Sequence, residues 1–116
     1  MKMHSYRAKL AQEFQKAAEA RGLFIKGFNI SCVLLLKQLG DAPIRRKKRD
    51  EGGEAAATMM GTLVKLKGAT YNPETQHYEI TVMGRMVLQR CTKQGLVTLA
   101  EQLQAKSLAY REEVAA

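Results

Sequence analysis

Apolar residues recur every three to four positions through residues 5 to 21. Tyr6, Leu10, Phe14, Ala17 and Ala18 make one stripe of 3.6-residue period, and Arg7, Lys9, Gln12, Glu13, Lys16 and Glu19 fill the other faces. The spacing predicts an amphipathic helix with Ser5 as N-cap and Gly22 as the left-handed residue past its end. Residues 23 to 39 then lose almost all polar positions. Phe28, Cys32, Leu35, Leu36 and Leu39 keep helical spacing, so a second helix is expected over 31 to 39. Asn29 or Ser31 would cap it, Gly40 would follow its end, and Pro43 would stop it. A buried strand through Phe28, Ile30, Cys32 and Leu34 competes, although Val33 and Leu35 break its alternation. In either form this segment is the hydrophobic centre of the chain. Left exposed, it would be a face for homodimerisation.

Residues 40 to 54 carry Pro43, the pair Gly52-Gly53 and seven consecutive charges from Arg45 to Glu51, which leaves nothing to bury. A flexible basic loop is expected. Residues 54 to 61 suit a short Ala-rich helix or the approach to a strand. From Thr62 the period becomes two: Thr62, Val64 and Leu66 alternate with Leu63, Lys65 and Lys67. Tyr71, Asn72, Pro73, Glu74 and Thr75 supply turn chemistry, after which Tyr78, Ile80 and Val82 alternate with His77, Glu79 and Thr81. A β-hairpin over 62–82 follows. Face matching then requires paired numbers with an even sum and a loop with an odd residue count, such as Asn72 to Glu74 between Tyr71 and Thr75, which would set Lys67 opposite Glu79. Met83-Gly84 would turn the chain into a third strand at 85–90. Thr92 would cap a final helix whose apolar side is Leu96, Leu99, Ala100, Leu103 and Leu108.

The elements make one α+β domain over 1–116. Two N-terminal helices lead through the basic loop to a small antiparallel sheet, and the C-terminal helix packs on that sheet. In order of elements, residues 62 to 108, with the stretch TQHYEITVMGRMVLQRCTKQGLVTLAEQL, are similar to the three-stranded sheet plus helix of some DNA-binding domains. With longer loops the same order is similar to double-stranded-RNA-binding domains. The glycine and lysine motif that opens the last helix in those domains is absent. Only Lys93 stands there, so the resemblance implies no site residues.

Composition changes the picture only in charge. The 116 residues hold 19 Lys and Arg against 11 Asp and Glu, a net charge of +8, which points to a polyanionic partner. The excess is regional. Residues 1 to 21 carry five cations and two acids, whereas residues 92 to 116 carry three of each. The sharpest cluster is Arg45-Arg46-Lys47-Lys48-Arg49, followed directly by Asp50, Glu51 and Glu54. Arginine and lysine release counterions from nucleic acid, and arginine suits bidentate phosphate or guanine contacts. Where the source has a nucleus, the run also matches an import signal. Lys65, Lys67 and Arg85 would extend the site along the outward hairpin face, with His77 and Arg90 nearby. Tyr71 would be the single aromatic available for stacking there, and Tyr78 would point inward.

Other chemistry finds little support. Two cysteines, Cys32 and Cys91, lie in apolar stretches and read as buried thiols. With His4 and His77 they are too scattered for a zinc site. Catalytic motifs, phosphate-binding loops and dinucleotide fingerprints are absent, so no cofactor and no enzymatic activity are expected. The most apolar stretch between charges spans ten residues, Gly27 to Leu36, too short to cross a membrane. A cytoplasmic, reducing location is expected. The chemistry fits a small nucleic-acid-binding or regulatory protein that contacts DNA or RNA phosphates. The second reading is an interaction module, inhibitor or assembly factor docking on an acidic protein surface. It rests on the apolar 23–39 segment and on Met59, Met60, Met83 and Met86 as an adaptable interface.

Overall fold

The computed structural model describes residues 3–23, 25–47 and 54–115. Helix α1 (Met3–Ala20) buries Leu10, Phe14 and Ala18, the stripe its period predicts. It starts ahead of Ser5, which is therefore no cap. Its other end closes as expected on Gly22, at φ +68°. There the Gly22 amide donates to Glu19 at 3.0 Å and the Leu23 amide to Ala18 at 2.8 Å, a pairing that satisfies the last carbonyls of the helix. The Arg21 side chain donates to the Gln94 carbonyl at 2.9 Å, which ties this end to a distant turn.

Helix α2 (Ile30–Asp41) starts at Asn29, whose side-chain oxygen accepts from the Cys32 amide at 3.0 Å. It runs past Gly40, so Gly40 does not close it. A Cβ on Gly40 would stand 2.7 Å from Leu88 Cδ2, and the glycine serves close packing instead. The end comes at Ala42, held extended before Pro43. Two hydrophobic clusters meet on α2. Val33 joins Leu10, Phe14, Cys91, Leu96, Ala100 and Leu103. Cys32, Leu36 and Leu39 join Met60, Leu63 and Ala69. A helix buried on both sides needs few polar positions, which explains the apolar run of α2.

Strand β1 (Ile44–Arg45) rises from within the expected loop. The segment Thr62–Lys67 is not a strand. Its first four residues belong to helix α3 (Glu54–Lys65), which buries Met60 and Leu63 while Val64 faces outward, and Leu66 and Lys67 lie in the turn that follows. The Ala-rich start bears the cost of nucleation, and the helix propagates through an alternation that fits either period. Lys67, at φ 61°, and Gly68, whose amide donates to Leu63 at 2.9 Å, end it.

The hairpin is therefore shorter, β2 (Ala69–Asn72) and β3 (His77–Ile80), joined by residues 73 to 76. Its register pairs Ala69 with Ile80, Thr70 with Glu79, Tyr71 with Tyr78 and Asn72 with His77. The even-sum register fails because Val64 and Leu66 lie outside the sheet. Glu79 faces Thr70 rather than Lys67, and its carboxylate accepts from Asn72 Nδ2 at 3.0 Å. The turn chemistry does hold: Asn72 Oδ1 accepts from the Glu74 amide at 3.0 Å, and Gln76 takes φ 59°. Strand β1 pairs antiparallel along the other edge of β3, giving the order β1-β3-β2.

The expected third strand at 85–90 is also helical. Helix α4 (Val82–Lys93) starts at Thr81, whose hydroxyl accepts from the Gly84 amide at 2.9 Å. Gly84, Val87, Leu88 and Cys91 form its inward stripe. Thr92 lies inside α4 and caps nothing; its hydroxyl donates to Leu88 at 2.8 Å. Gly95 at φ 75° turns the chain into α5 (Leu96–Ala115). Leu96, Ala100 and Leu103 of α5 are buried, whereas Leu108 is 50% exposed. Helix α5 packs on α1, α2 and α4, and the sheet rests on α2 and α3. The fold is thus α+β with a C-terminal helix, but that helix lies on the helical side of α2. The order of elements from residue 62 is helix, hairpin, helix, helix, which departs from the sheet-plus-helix resemblance. Among the described residues, no helix is long and apolar enough to cross a membrane.

Candidate nucleic-acid interface

Antiparallel partners share a face, so Ile44, Tyr78, Tyr71, Ile80 and Ala69 form the inner face of the sheet. Ile44, Tyr78 and Ile80 rest on the α2–α3 cluster, which confirms the inward Tyr78. The outer face holds Arg45, His77, Asn72, Glu79 and Thr70. It mixes one cation and one carboxylate, so the basic hairpin face expected from the sequence does not form.

Of the 45–49 run, Arg45 lies on the edge strand β1, and Arg46 and Lys47 follow it directly. Arg45 is exposed on β1 beside His77, and its guanidinium donates to the Arg46 carbonyl at 3.4 Å. The Arg46 amide donates to Gln76 at 3.0 Å, which carries the ladder one residue further. The Arg46 guanidinium lies 5.6 Å from the Tyr71 ring centroid, and the Tyr71 and Tyr78 rings are 5.0 Å apart. Tyr71 is therefore a seat for Arg46 on the inner side, not a free stacking platform outside. Lys47 is exposed. Lys48 and Arg49 lie outside the described residues.

The other three predicted cations lie elsewhere. Lys65 is exposed in the last turn of α3. Lys67 is exposed in the turn before β2, and its carbonyl accepts the Thr81 hydroxyl at 2.6 Å. Arg85, in the first turn of α4, shares a cleft of about 150 Å³ with Asp41 and Glu79. Three residue steps along β3, about 10 Å, separate the row holding Arg45 from the row holding Ala69, and Lys67 lies beyond the latter. The structure thus groups Arg45, Arg46 and Lys47 at one end of the sheet and keeps Lys67 at the other.

Sequence reasoning missed the basic face of α4. Val82, Met83 and Met86 are 78%, 51% and 60% exposed there, and Arg85, Arg90 and Lys93 stand on the same helix with no acid. Met83, Met86, Arg90 and Lys93 have helical spacing, a signal hidden by the strand assignment. Of the four methionines read as an interface, Met60 is buried and Met83 and Met86 are exposed.

Cys32 and Cys91 are free and buried, and burial is the larger cause holding both thiols above their ordinary 9.0. Each favours the neutral form in the fold. Stability should be flat in this respect below pH 9.0 and fall as pH rises above it. Thermal melts across that range should show the fall, and the Cys32→Ala/Cys91→Ala variant should show a smaller one. An aromatic disulfide reagent should titrate neither thiol until the chain unfolds.

Among the described residues, no group of three His, Cys, Asp or Glu side chains is placed to hold a metal ion. Among the described residues Lys37 pairs with Glu101 at 3.1 Å, and neither Arg46 nor Lys47 has a carboxylate partner there. Comparison with protein-family models, with curated proteins and with solved structures returned no match.

Proposed function

We propose that the chain is a non-enzymatic nucleic-acid-binding protein that grips phosphates through Arg45, Arg46 and Lys47, continued by Lys48 and Arg49. The observation that carries this reading is the placement of consecutive cations on a sheet edge, with the Arg46 guanidinium seated over Tyr71. A strand edge fixes the spacing of these side chains, so less entropy is lost on binding than from a free loop. Lys65, Lys67 and Arg85 act as outlying contacts for a longer strand. Buried free thiols suit a reducing, cytoplasmic or nuclear, compartment.

Fluorescence anisotropy with labelled single and double strands of DNA and RNA tests the reading. Contact with five to eight phosphates gives a slope of log affinity on log salt of roughly −4.5 to −7, measured from about 50 to 200 mM salt. Replacing Arg45, Arg46 and Lys47 with alanine should reduce that slope by about three units and weaken every sequence alike. Absence of binding to any of the strands at low salt overturns the proposal.

The α4 face favours a second reading, docking on an acidic protein surface, because it joins exposed Val82, Met83 and Met86 to Arg85, Arg90 and Lys93 on a helix that carries no acid of its own. Met83→Glu separates the two. It disrupts docking through α4 and leaves the β1 edge untouched.

A further inference from the structure

A groove of about 370 Å³ opens where α1, α5 and the start of α2 meet, a volume in the range of small-ligand sites. Leu10, Leu103 and Leu108 give it apolar walls, and Arg7 and Arg111 stand at it from α1 and α5. The arrangement has a local cause. Tyr6 and Tyr110 stack with ring centroids 4.3 Å apart, which pins the two antiparallel helices together one residue before each arginine. Neither arginine has an ion pair or hydrogen bond among the described residues, and no described carboxylate lines the groove. Ser107 adds a hydroxyl to the same wall.

Two guanidinium groups beside an apolar channel match one ligand chemistry. Guanidinium forks bind carboxylate or phosphate oxygens in pairs, and leucine walls gain by covering a hydrocarbon chain. We infer that this groove binds a small amphipathic anion, a carboxylate or phosphate head on an aliphatic chain. The site shares no residue with the β1 edge, so it stands or falls apart from nucleic-acid binding.

The test uses the full chain, followed by calorimetry and by amide NMR. The probes are decanoate, decyl phosphate, decanol and inorganic phosphate. A decyl anion should bind one to one below its micellar concentration, with shifts concentrated at the α1 and α5 residues that line the groove. Decanol should bind at least about tenfold more weakly, a difference of about 1.4 kcal/mol, and inorganic phosphate should not saturate. Whichever decyl anion binds tighter identifies the head group. Arg7→Gln and Arg111→Gln should each weaken binding about fivefold or more, with the melting temperature unchanged because both side chains are exposed. Leu108→Gln should weaken it as well. Equal affinity for decanol, unchanged affinity in both arginine variants, or binding only as micelles overturns the inference.

Discussion

Gly84→Ala is expected to lower stability by about 3 kcal/mol or more, and the melting temperature by roughly 10–15 °C. Gly84 is buried in the first turn of α4, against the turn that carries α3 into β2. A Cβ there would be driven into the Gly68 carbonyl oxygen, and would stand 2.8 Å from Ile80 Cγ1 and 3.0 Å from the Gly68 carbonyl carbon. The obstacle is backbone, and that backbone is already committed. The Gly68 carbonyl accepts from the Thr81 amide at 3.1 Å, and the Thr81 hydroxyl donates to Lys67 at 2.6 Å. Relief would require separating α4 from the start of β2 and breaking these bonds. The gain in helix propensity from alanine, about 1 kcal/mol, does not offset that. Gly61 supplies the control. It is a helix residue with open space where a Cβ would go, so Gly61→Ala should stabilise by about 0.5–1 kcal/mol. Urea unfolding of both variants checks the pair. Equal and small effects would show that α4 and the Gly68 turn are not in close contact.

The same glycine shows where sequence reasoning loses its grip. Met83-Gly84 looks like a turn between strands because glycine permits turns. Its actual role depends on Gly68, sixteen residues away, and no local pattern carries that contact. The alternation from Thr62 to Lys67 is two-valued in the same way: Met60 and Leu63 lie on one helical face as readily as Thr62 and Val64 lie on one strand face. What decides is the Ala-rich start of α3, which already favours helix. By contrast, α1 and α2 are legible because their evidence is local. Leu10, Phe14 and Ala18 repeat at one period, Asn29 caps α2 through its own side chain, and Gly22 takes the left-handed angle after α1. The candidate site divides along the same line. The run from Arg45 to Lys47 is visible as charge, but a two-residue edge strand has no period to reveal it. Strands at 62–67 and 85–90 would bring Lys65, Lys67 and Arg85 to one sheet face, and the three scatter because those segments lie in or beside α3 and α4.

Leu36→Ala is expected to cost about 2–5 kcal/mol, and Val33→Ala about 2–3 kcal/mol, each a large share of a marginal total. The two side chains leave α2 in different directions. Val33 is fully buried with Phe14, Leu96 and Leu103, and Leu36 is buried with Met60, Leu63 and Ala69. The clusters are bridged, because Phe28, Val87 and Leu88 pack against both. A cavity on either side of one rigid helix should therefore weaken the whole chain. Two tyrosine pairs report on the two sides: Tyr6 with Tyr110 on the helical side, and Tyr71 with Tyr78 under the sheet. In selectively labelled tyrosine NMR, each variant should lower one shared denaturant midpoint for both pairs, with the slope unchanged. If Val33→Ala moved only the Tyr6–Tyr110 transition and Leu36→Ala only the Tyr71–Tyr78 transition, α2 would be joining two separately folding layers. The single domain expected from the chain's length and pattern would then be wrong. The shared contacts of Phe28, Val87 and Leu88 argue for one transition, since neither layer can lose its packing without exposing side chains that the other also uses.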